Sequence, residues 1–310
     1  MTSQPELSVV VTLTSAGPHV DACLAALARQ EHAPAFEVLL PVDGSLHDLE
    51  PAIERWSALL PALRVIRLPE PTDGPEQPSD AGQRHLLYDR RRAAGLGEAR
   101  AALVALTEDH ARPRPDWCRE IVRAHARRSN PAIGGVIDNA SINRLAHAAY
   151  LCDFGRYQSP REPGPSAFLS DVNVSYKRSE LEQVRDQWQP SYHETAVHGA
   201  LQQRGHTLWL EPAIGVAQQR GPLDWSTSLR ERVSWGRLYA GKRCNEITPA
   251  RRAALAILSP LLPPLLLARQ IANAWRSRRR SDWAALPAVT VLLCAWSFGE
   301  ALGYWTARPV

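Results

Sequence analysis

Leu7-Ser-Val-Val-Val-Thr12 is a short β-branched run that ends at the turn Thr14-Ser-Ala-Gly-Pro18. A helical pattern then covers His19 to Arg29, and a second apolar run, Phe36-Glu-Val-Leu-Leu-Pro-Val42, stops at Asp43-Gly-Ser45. Strand, helix and strand within about 40 residues form a βαβ unit, which commits the chain to a parallel sheet covered by helices. Such sheets bind ligands outside the carboxyl ends of their strands, so acidic residues at strand ends are the first place to look for chemistry.

The pattern continues with a helix from Ser57 to Leu63, the strand Leu63-Arg-Val-Ile-Arg-Leu68 and a Pro-rich polar loop from Pro69 to Gln83. Gly97 to Leu106 reads as a helix that leads into Glu108-Asp109-His110. Ile133 to Ile137 and Val172 to Tyr176 read as strands. A helix from Glu194 to Gln203 closes on Arg204-Gly205 in the manner of a glycine C-cap, and Thr207-Leu-Trp-Leu210 resumes a strand.

Beyond about residue 225 the composition changes. Trp225 to Lys242 is an amphipathic, Arg-rich stretch, followed by apolar runs at Ala253–Ala268 and Ala284–Gly299 with Arg276-Ser-Arg-Arg-Arg280 between them. Each run falls short of the roughly 20 residues of a membrane-crossing helix. A simple transmembrane pair would also export Arg278, Arg279 and Arg280, against the positive-inside rule. The expectation is a re-entrant or interfacial hairpin with Trp275, Trp283, Trp296 and Trp305 at headgroup depth, and a buried helical hairpin is the alternative. Arg230, Arg232 and Arg237 on the preceding stretch face lipid phosphates or only cover apolar surface.

The formal net charge of +4 comes largely from these C-terminal arginines, which favours an anionic membrane surface over nucleic acid as partner. Five scattered cysteines without a C-x-x-C pair fit a reducing compartment, and a short polar N-terminus indicates no export. The expected location is the cytoplasmic face of the cell membrane.

Three groups could carry chemistry. Asp43 ends a strand and precedes glycine, which suits a carboxylate receiving a ribose or base edge, or a plain turn. Glu108, Asp109 and His110 offer hard oxygens and an imidazole to a divalent cation, or form a solvated turn before the next helix. His193 and Glu194 open a helix, where a carboxylate either caps the amide ends or serves as general base. A zinc-protease reading of His193, Glu194 and His198 fails, because histidines five apart are rotated by about 140°.

Taken in order, these pieces resemble the family 2 glycosyltransferases, inverting enzymes of the GT-A fold, over roughly Leu7 to Gln219. The first strand through Thr12, Glu37 to Ser45 with its nucleoside-reading Asp43, and Gly95-Leu-Gly-Glu-Ala-Arg100 are similar to donor-site segments of that family. Glu108-Asp109-His110 stands where the family has its metal triplet, with histidine in place of the usual aspartate. Asn173-Val-Ser-Tyr-Lys-Arg178 resembles the segment near sugar and acceptor, and His193-Glu194 the acidic pair that carries the base.

The composition beyond the matched region adds a basic linker helix over 223–252 and a C-terminal apolar hairpin over 253–310. The resemblance implies an α/β GT-A fold, Rossmann-like with a mostly parallel sheet, and a catalytic domain over residues 1–222. It implies Glu194 and His193 as catalytic, Thr12, Asp43, Arg100, Glu108, Asn173 and Lys177 as substrate-binding, and Asp109 and His110 as ligands of Mg²⁺ or Mn²⁺. The expected reaction moves a sugar from a nucleotide diphosphate-sugar to a hydroxyl or phosphate of a saccharide or lipid-linked acceptor, in polysaccharide or glycolipid synthesis. The alternatives are a non-catalytic nucleotide-sugar binder of the same fold and a sugar nucleotidyltransferase.

Overall fold

The computed structural model describes residues 4–46, 49–60, 62–69, 81–244 and 247–307. In chain order the elements are β1 (Leu7–Thr12), α1 (Pro18–Ala28), β2 (Phe36–Val42), α2 (Glu50–Leu59), β3 (Leu63–Arg67), α3 (Ala81–Glu98), β4 (Leu103–Glu108), β5 (Ala111–Pro113) and α4 (Trp117–Arg127). They continue with β6 (Ala132–Asn139), α5 (Arg144–Phe154), β7 (Gly164–Pro165), β8 (Val174–Lys177), α6 (Arg178–Glu182), α7 (Glu194–Gln203) and β9 (Trp209–Gln218). Four more helices follow: α8 (Trp225–Arg243), α9 (Pro249–Leu258), α10 (Leu262–Ser277) and α11 (Arg280–Thr306).

The chain divides into two compact units. The first holds the sheet, in the order β3-β2-β1-β4-β8-β6-β9-β5 with β7 on β9. β3, β2, β1 and β4 run parallel, and β4–β8, β8–β6 and β9–β5 are antiparallel. This is a mixed α/β fold with a central sheet flanked by helices. β1 is buried along its whole length and β2 nearly so, as strands covered on both faces must be. α3 lies so close to β1 that a methyl group on Gly95 would fall 2.4 Å from Val10 Cγ1. Gly95 therefore lets α3 pack directly on β1.

Several boundaries differ from expectation. The helix expected from Gly97 to Leu106 ends at Glu98, and Leu103–Glu108 is the strand β4. Its short apolar run pairs with β1 on one side and β8 on the other, and periodicity cannot separate such a run from a buried helix. The helix expected from Ser57 starts at Glu50, with a proline in its first turn that is preset for helix entry. Most of the loop expected from Pro69 to Gln83 lies outside the described residues, and 81–83 already belong to α3. α7 and its cap appear as expected: Gly205 has φ +86°, and its N–H donates to Gln202 O at 2.9 Å.

The second unit is helical and contains Asn139–Pro160 with α5 as well as the chain from Arg220 on. Its apolar segments are longer than the sequence reading allowed. α9 and α10 join through a 3₁₀ turn into one helical stretch, Pro249–Ser277, of 29 residues, and Arg280–Thr306 has 27. Both are long and apolar enough to cross a membrane. Pro260, Pro263 and Pro264 of the first run sit in the first turns of the 3₁₀ turn and of α10, where a missing N–H costs little. Arg232 does not face outward: Nη1 and Nη2 clasp Asp153 at 2.5 and 2.8 Å, and Arg220 adds a third bond at 2.7 Å.

Candidate donor and metal site

Because β1, β2 and β4 are parallel, their carboxyl ends meet at one edge of the first unit. Thr12 and Glu108 are direct partners there, and Asp43 follows the last residue of β2. Thr12 is buried, and its carbonyl accepts from Asp109 N at 3.1 Å. Asp43 is gripped side-on by Arg91 of α3, with Nε to Oδ2 and Nη2 to Oδ1 both at 2.8 Å. Ser45 N and Oγ donate to the same carboxylate at 3.1 and 2.6 Å. Burial pushes the carboxyl up, but Arg91 and Ser45 together hold it below its ordinary range. Arg91 also donates to Leu13 O, which ties the β1–α1 turn to the same cluster.

Asp109 organises that turn. Its carboxylate accepts from Thr14 N at 2.5 Å, Thr14 Oγ1 at 3.0 Å and Ser15 N at 3.4 Å, and His19 Nε2 lies 3.3 Å away. His19, in the first turn of α1, stacks on His110 with ring centroids 4.2 Å apart and planes 10° from parallel. The hydrogen bond to Asp109, opposed by burial, raises the His19 imidazole. His110 is fixed from the other side, with its Nδ1 3.1 Å from Gln219 O while Gln219 N donates to His110 O at 2.9 Å. One ligand atom each from His19, Asp109 and His110 lie within 4.8 Å of one another. A carboxylate with two imidazoles is a donor set that suits a divalent cation.

A second charged cluster adjoins Glu108. The buried guanidinium of Arg92 lies 2.9 Å from Asp171, 3.2 Å from Asp89 and 3.9 Å from Glu108. One cation facing three carboxylates cannot hold all of them ionised. Burial and then Asp171 push Glu108 up to about 7 despite Arg92. Glu194, at the start of α7, accepts from Asp171 N at 2.9 Å, and burial and the Asp171 charge raise it well above the carboxylate range. His193 Nδ1 sits 3.0 Å from Asp89 Oδ2, close enough for an ion pair but without hydrogen-bond alignment. Behind them Tyr176 bonds Tyr192 at 2.7 Å and His198 at 2.8 Å, and burial drives His198 down to about 4, so it is neutral.

Three expected site residues lie elsewhere. Arg100 follows α3 at the amino end of the strands, where its N–H donates to Ser8 Oγ and Glu37 Oε1, so it is at the edge opposite Asp43. Lys177 pairs with Leu103 at the same amino edge and donates to Arg128 O at 2.8 Å. Asn173 is buried, and its amide is spent on Val136 O, Ile214 O and the Trp117 indole N–H, which makes it a structural bracket. The sequence reading missed His19, Arg91, Arg92, Asp89 and Asp171. Arg91 and Arg92 were visible as the run Arg90-Arg91-Arg92, but the parallel sheet that brings α3 against Asp43 was needed to choose between them.

No protein-family model and no curated protein matches the sequence. Among solved structures the chain is similar to the mannosyltransferase PcManGT from Pyrobaculum calidifontis, solved in complex with GDP-Man and Mn²⁺. That match has a TM-score of 0.56 at 16% identity and covers 96% of this chain and 88% of that one. TarS of S. aureus matches with a TM-score of 0.48 at 14% identity, over 83% of this chain and 43% of that one. The first likeness establishes a glycosyltransferase fold.

Proposed function

We propose that the chain is a metal-dependent glycosyltransferase that moves a sugar from a nucleotide diphosphate-sugar to an acceptor hydroxyl with inversion. The observation that carries this reading is the meeting, at the carboxyl edge of β1, β2 and β4, of Asp43, a metal-competent triad and Glu108, to which Arg92 and Asp171 join the raised carboxyl of Glu194. Asp43 and Arg91 would receive the nucleoside. His19, Asp109 and His110 would hold a divalent cation, which when bound neutralises charge on the diphosphate leaving group.

Glu194 would accept the proton of the acceptor hydroxyl, for which a proton affinity raised toward neutral pH is the useful range. The acceptor oxygen then bonds to the anomeric carbon from the face opposite the diphosphate as the bond to the leaving oxygen breaks, in a single displacement. Arg92 and Asp171 position Glu194 and Glu108 for this arrangement. His193 stands at the helix entry beside the base.

The acceptor we propose is lipid-linked or otherwise membrane-held, on the cytoplasmic face. Two helices of crossing length, with Trp275 and Trp305 exposed by 70% and 80%, support it. A non-catalytic nucleotide-sugar binder is the second reading, favoured by the Thr14 and Ser15 bonds that already occupy Asp109. The test measures release of nucleoside diphosphate from a panel of nucleotide-sugars, with lipid extract as acceptor and Mn²⁺ or Mg²⁺ present. Lipid-dependent release that Glu194→Gln and Asp109→Asn both abolish supports the transferase. Donor binding without release on any donor supports the binder.

A further inference from the structure

We infer that His19 makes the metal site a two-imidazole, one-carboxylate centre that selects Mn²⁺ and Co²⁺ over Mg²⁺. The inference rests on the proposed function only for the site's role, since it concerns ion binding by the chain itself.

His19 does not come from the segment that supplies Asp109 and His110. It is delivered by the β1–α1 turn, which folds back onto Asp109 through Thr14 and Ser15. Its imidazole has a prepared place. Gly17, at φ +154°, leaves open the volume that a side chain would take, because a methyl group there would come within 2.9 Å of His19 Cε1 and 3.0 Å of Nδ1. Ser15 O accepts from Nε2 at 3.0 Å, the same nitrogen that faces Asp109, so an ion bound beside Asp109 takes Nε2 in exchange for that proton and that bond, while stacking on His110 sets the ring's plane. On the opposite side the Gln219 carbonyl can only accept, so it fixes His110 in the tautomer with its proton on Nδ1. Two stacked rings beside one buried carboxylate, one of them with its outward nitrogen held by a backbone carbonyl, form a built site rather than a chance meeting of polar side chains.

The donor chemistry determines the ion. Mg²⁺ demands near-octahedral oxygen ligands and dehydrates reluctantly, so exchanging two oxygens for two imidazoles penalises it. Imidazole suits later first-row ions, and two histidines with one carboxylate leave coordination positions open for substrate oxygens. Replacing one imidazole by a carboxylate should move the preference back toward Mg²⁺.

The experiment uses the full chain, stripped with a chelator and free of donor. Mn²⁺ binding is read by loss of the free-ion electron paramagnetic resonance signal, Co²⁺ by its visible absorption, and Mg²⁺ by competition against Mn²⁺. The expected result is one Mn²⁺ or Co²⁺ per chain with Mg²⁺ at least tenfold weaker. His19→Ala and His19→Asn should each weaken Mn²⁺ and Co²⁺ at least tenfold with an unchanged melting temperature. His19→Asp should narrow the gap between Mn²⁺ and Mg²⁺, and His206→Ala, outside the triad, should leave binding as in the wild type. Mg²⁺ binding as tight as Mn²⁺, or Co²⁺ affinity within twofold of wild type in both His19→Ala and His19→Asn, overturns the inference. Selective binding without turnover of any nucleotide-sugar would remove the transferase reading and leave this one standing. Turnover with a site indifferent to His19 would do the reverse.

Discussion

Asp43 and Arg91 meet in a fork, each guanidinium nitrogen 2.8 Å from its own carboxylate oxygen and both side chains 1% exposed. A buried bidentate pair contributes little over an apolar pair of the same size, but its halves cannot be separated without cost. Arg91→Ala leaves a buried carboxylate facing Ser45 alone and should lower stability by about 3 to 5 kcal/mol. Arg91→Lys should recover only part of this, because a point charge cannot reproduce the fork. Urea denaturation of the two variants checks the order, and equal stability of Arg91→Lys and wild type would show that charge alone holds Asp43.

Glu108 makes a pH-dependent contribution whose sign is fixed by its surroundings. Burial, Asp171 and Asp109 favour the protonated form, Arg92 and Gln218 the ionised one, and the balance raises the group from its ordinary 4.5 to about 7. A carboxyl raised in the folded state supports stability below the unfolded value and loses that support as pH climbs through the folded value. Glu108→Gln cannot ionise, so in metal-free buffer it should gain on wild type between pH 4.5 and 7, by about 3 kcal/mol at most. Melting temperatures at pH 5 and pH 7.5 decide it: a difference between the two proteins that does not grow with pH contradicts the assignment.

The parallel half of the sheet was legible because β1 and β2 are short, mostly apolar runs separated by one helical pattern, the second of them ending at Asp43. β4 was not, since its six residues carry the same apolar signal as a helix end. Of the candidate site, the residues at strand ends were legible, Asp43, Glu108, Asp109 and His110 among them. Their partners were not. His19, Arg91 and Asp171 reach the site from 90, 48 and 23 residues away along the chain from Asp109, Asp43 and Glu194 respectively, and no local period encodes contacts at such separations. Arg100 misled for the converse reason: a motif position said nothing about which end of the sheet it would occupy.

Asn173, expected near sugar and acceptor, is held in the interior by three hydrogen bonds. Its amide joins β6, β9 and α4 through Val136 O, Ile214 O and the indole of the fully buried Trp117. Asn173→Ala leaves one donor and two acceptors unsatisfied in the interior, each worth about 1 to 3 kcal/mol before relaxation. The expected outcome is a protein destabilised by several kcal/mol, and Asn173→Asp should be no better, because it repels both carbonyls. If calorimetry instead finds Asn173→Ala as stable as wild type while donor binding is lost, the residue belongs to the site after all.

In the second unit the contact between α8 and α11 is made by glycines. A methyl group on Gly299 would lie 2.1 Å from Val233 O, one on Gly303 2.6 Å from Arg237 O, and one on Gly236 2.2 Å from Trp296 O. Backbones this close leave no slack, so Gly299→Ala must push the helices apart along their whole shared length. The ordinary gain from Ala in a helix, about 1 kcal/mol, works in the opposite direction. It is outweighed by overpacking against a carbonyl that cannot move without its helix, which costs about 1 to 3 kcal/mol. Gly199, in α7, supplies the internal comparison, since nothing lies within 4 Å of a methyl group there. Gly199→Ala should therefore raise the melting temperature and Gly299→Ala lower it. The double variant Gly236→Ala with Gly299→Ala should be less destabilised than the sum of the two, because one separation of the helices relieves both clashes. Strict additivity would mean that the two glycines face different partners, and that the α8–α11 contact is not the single close-packed seam its geometry indicates.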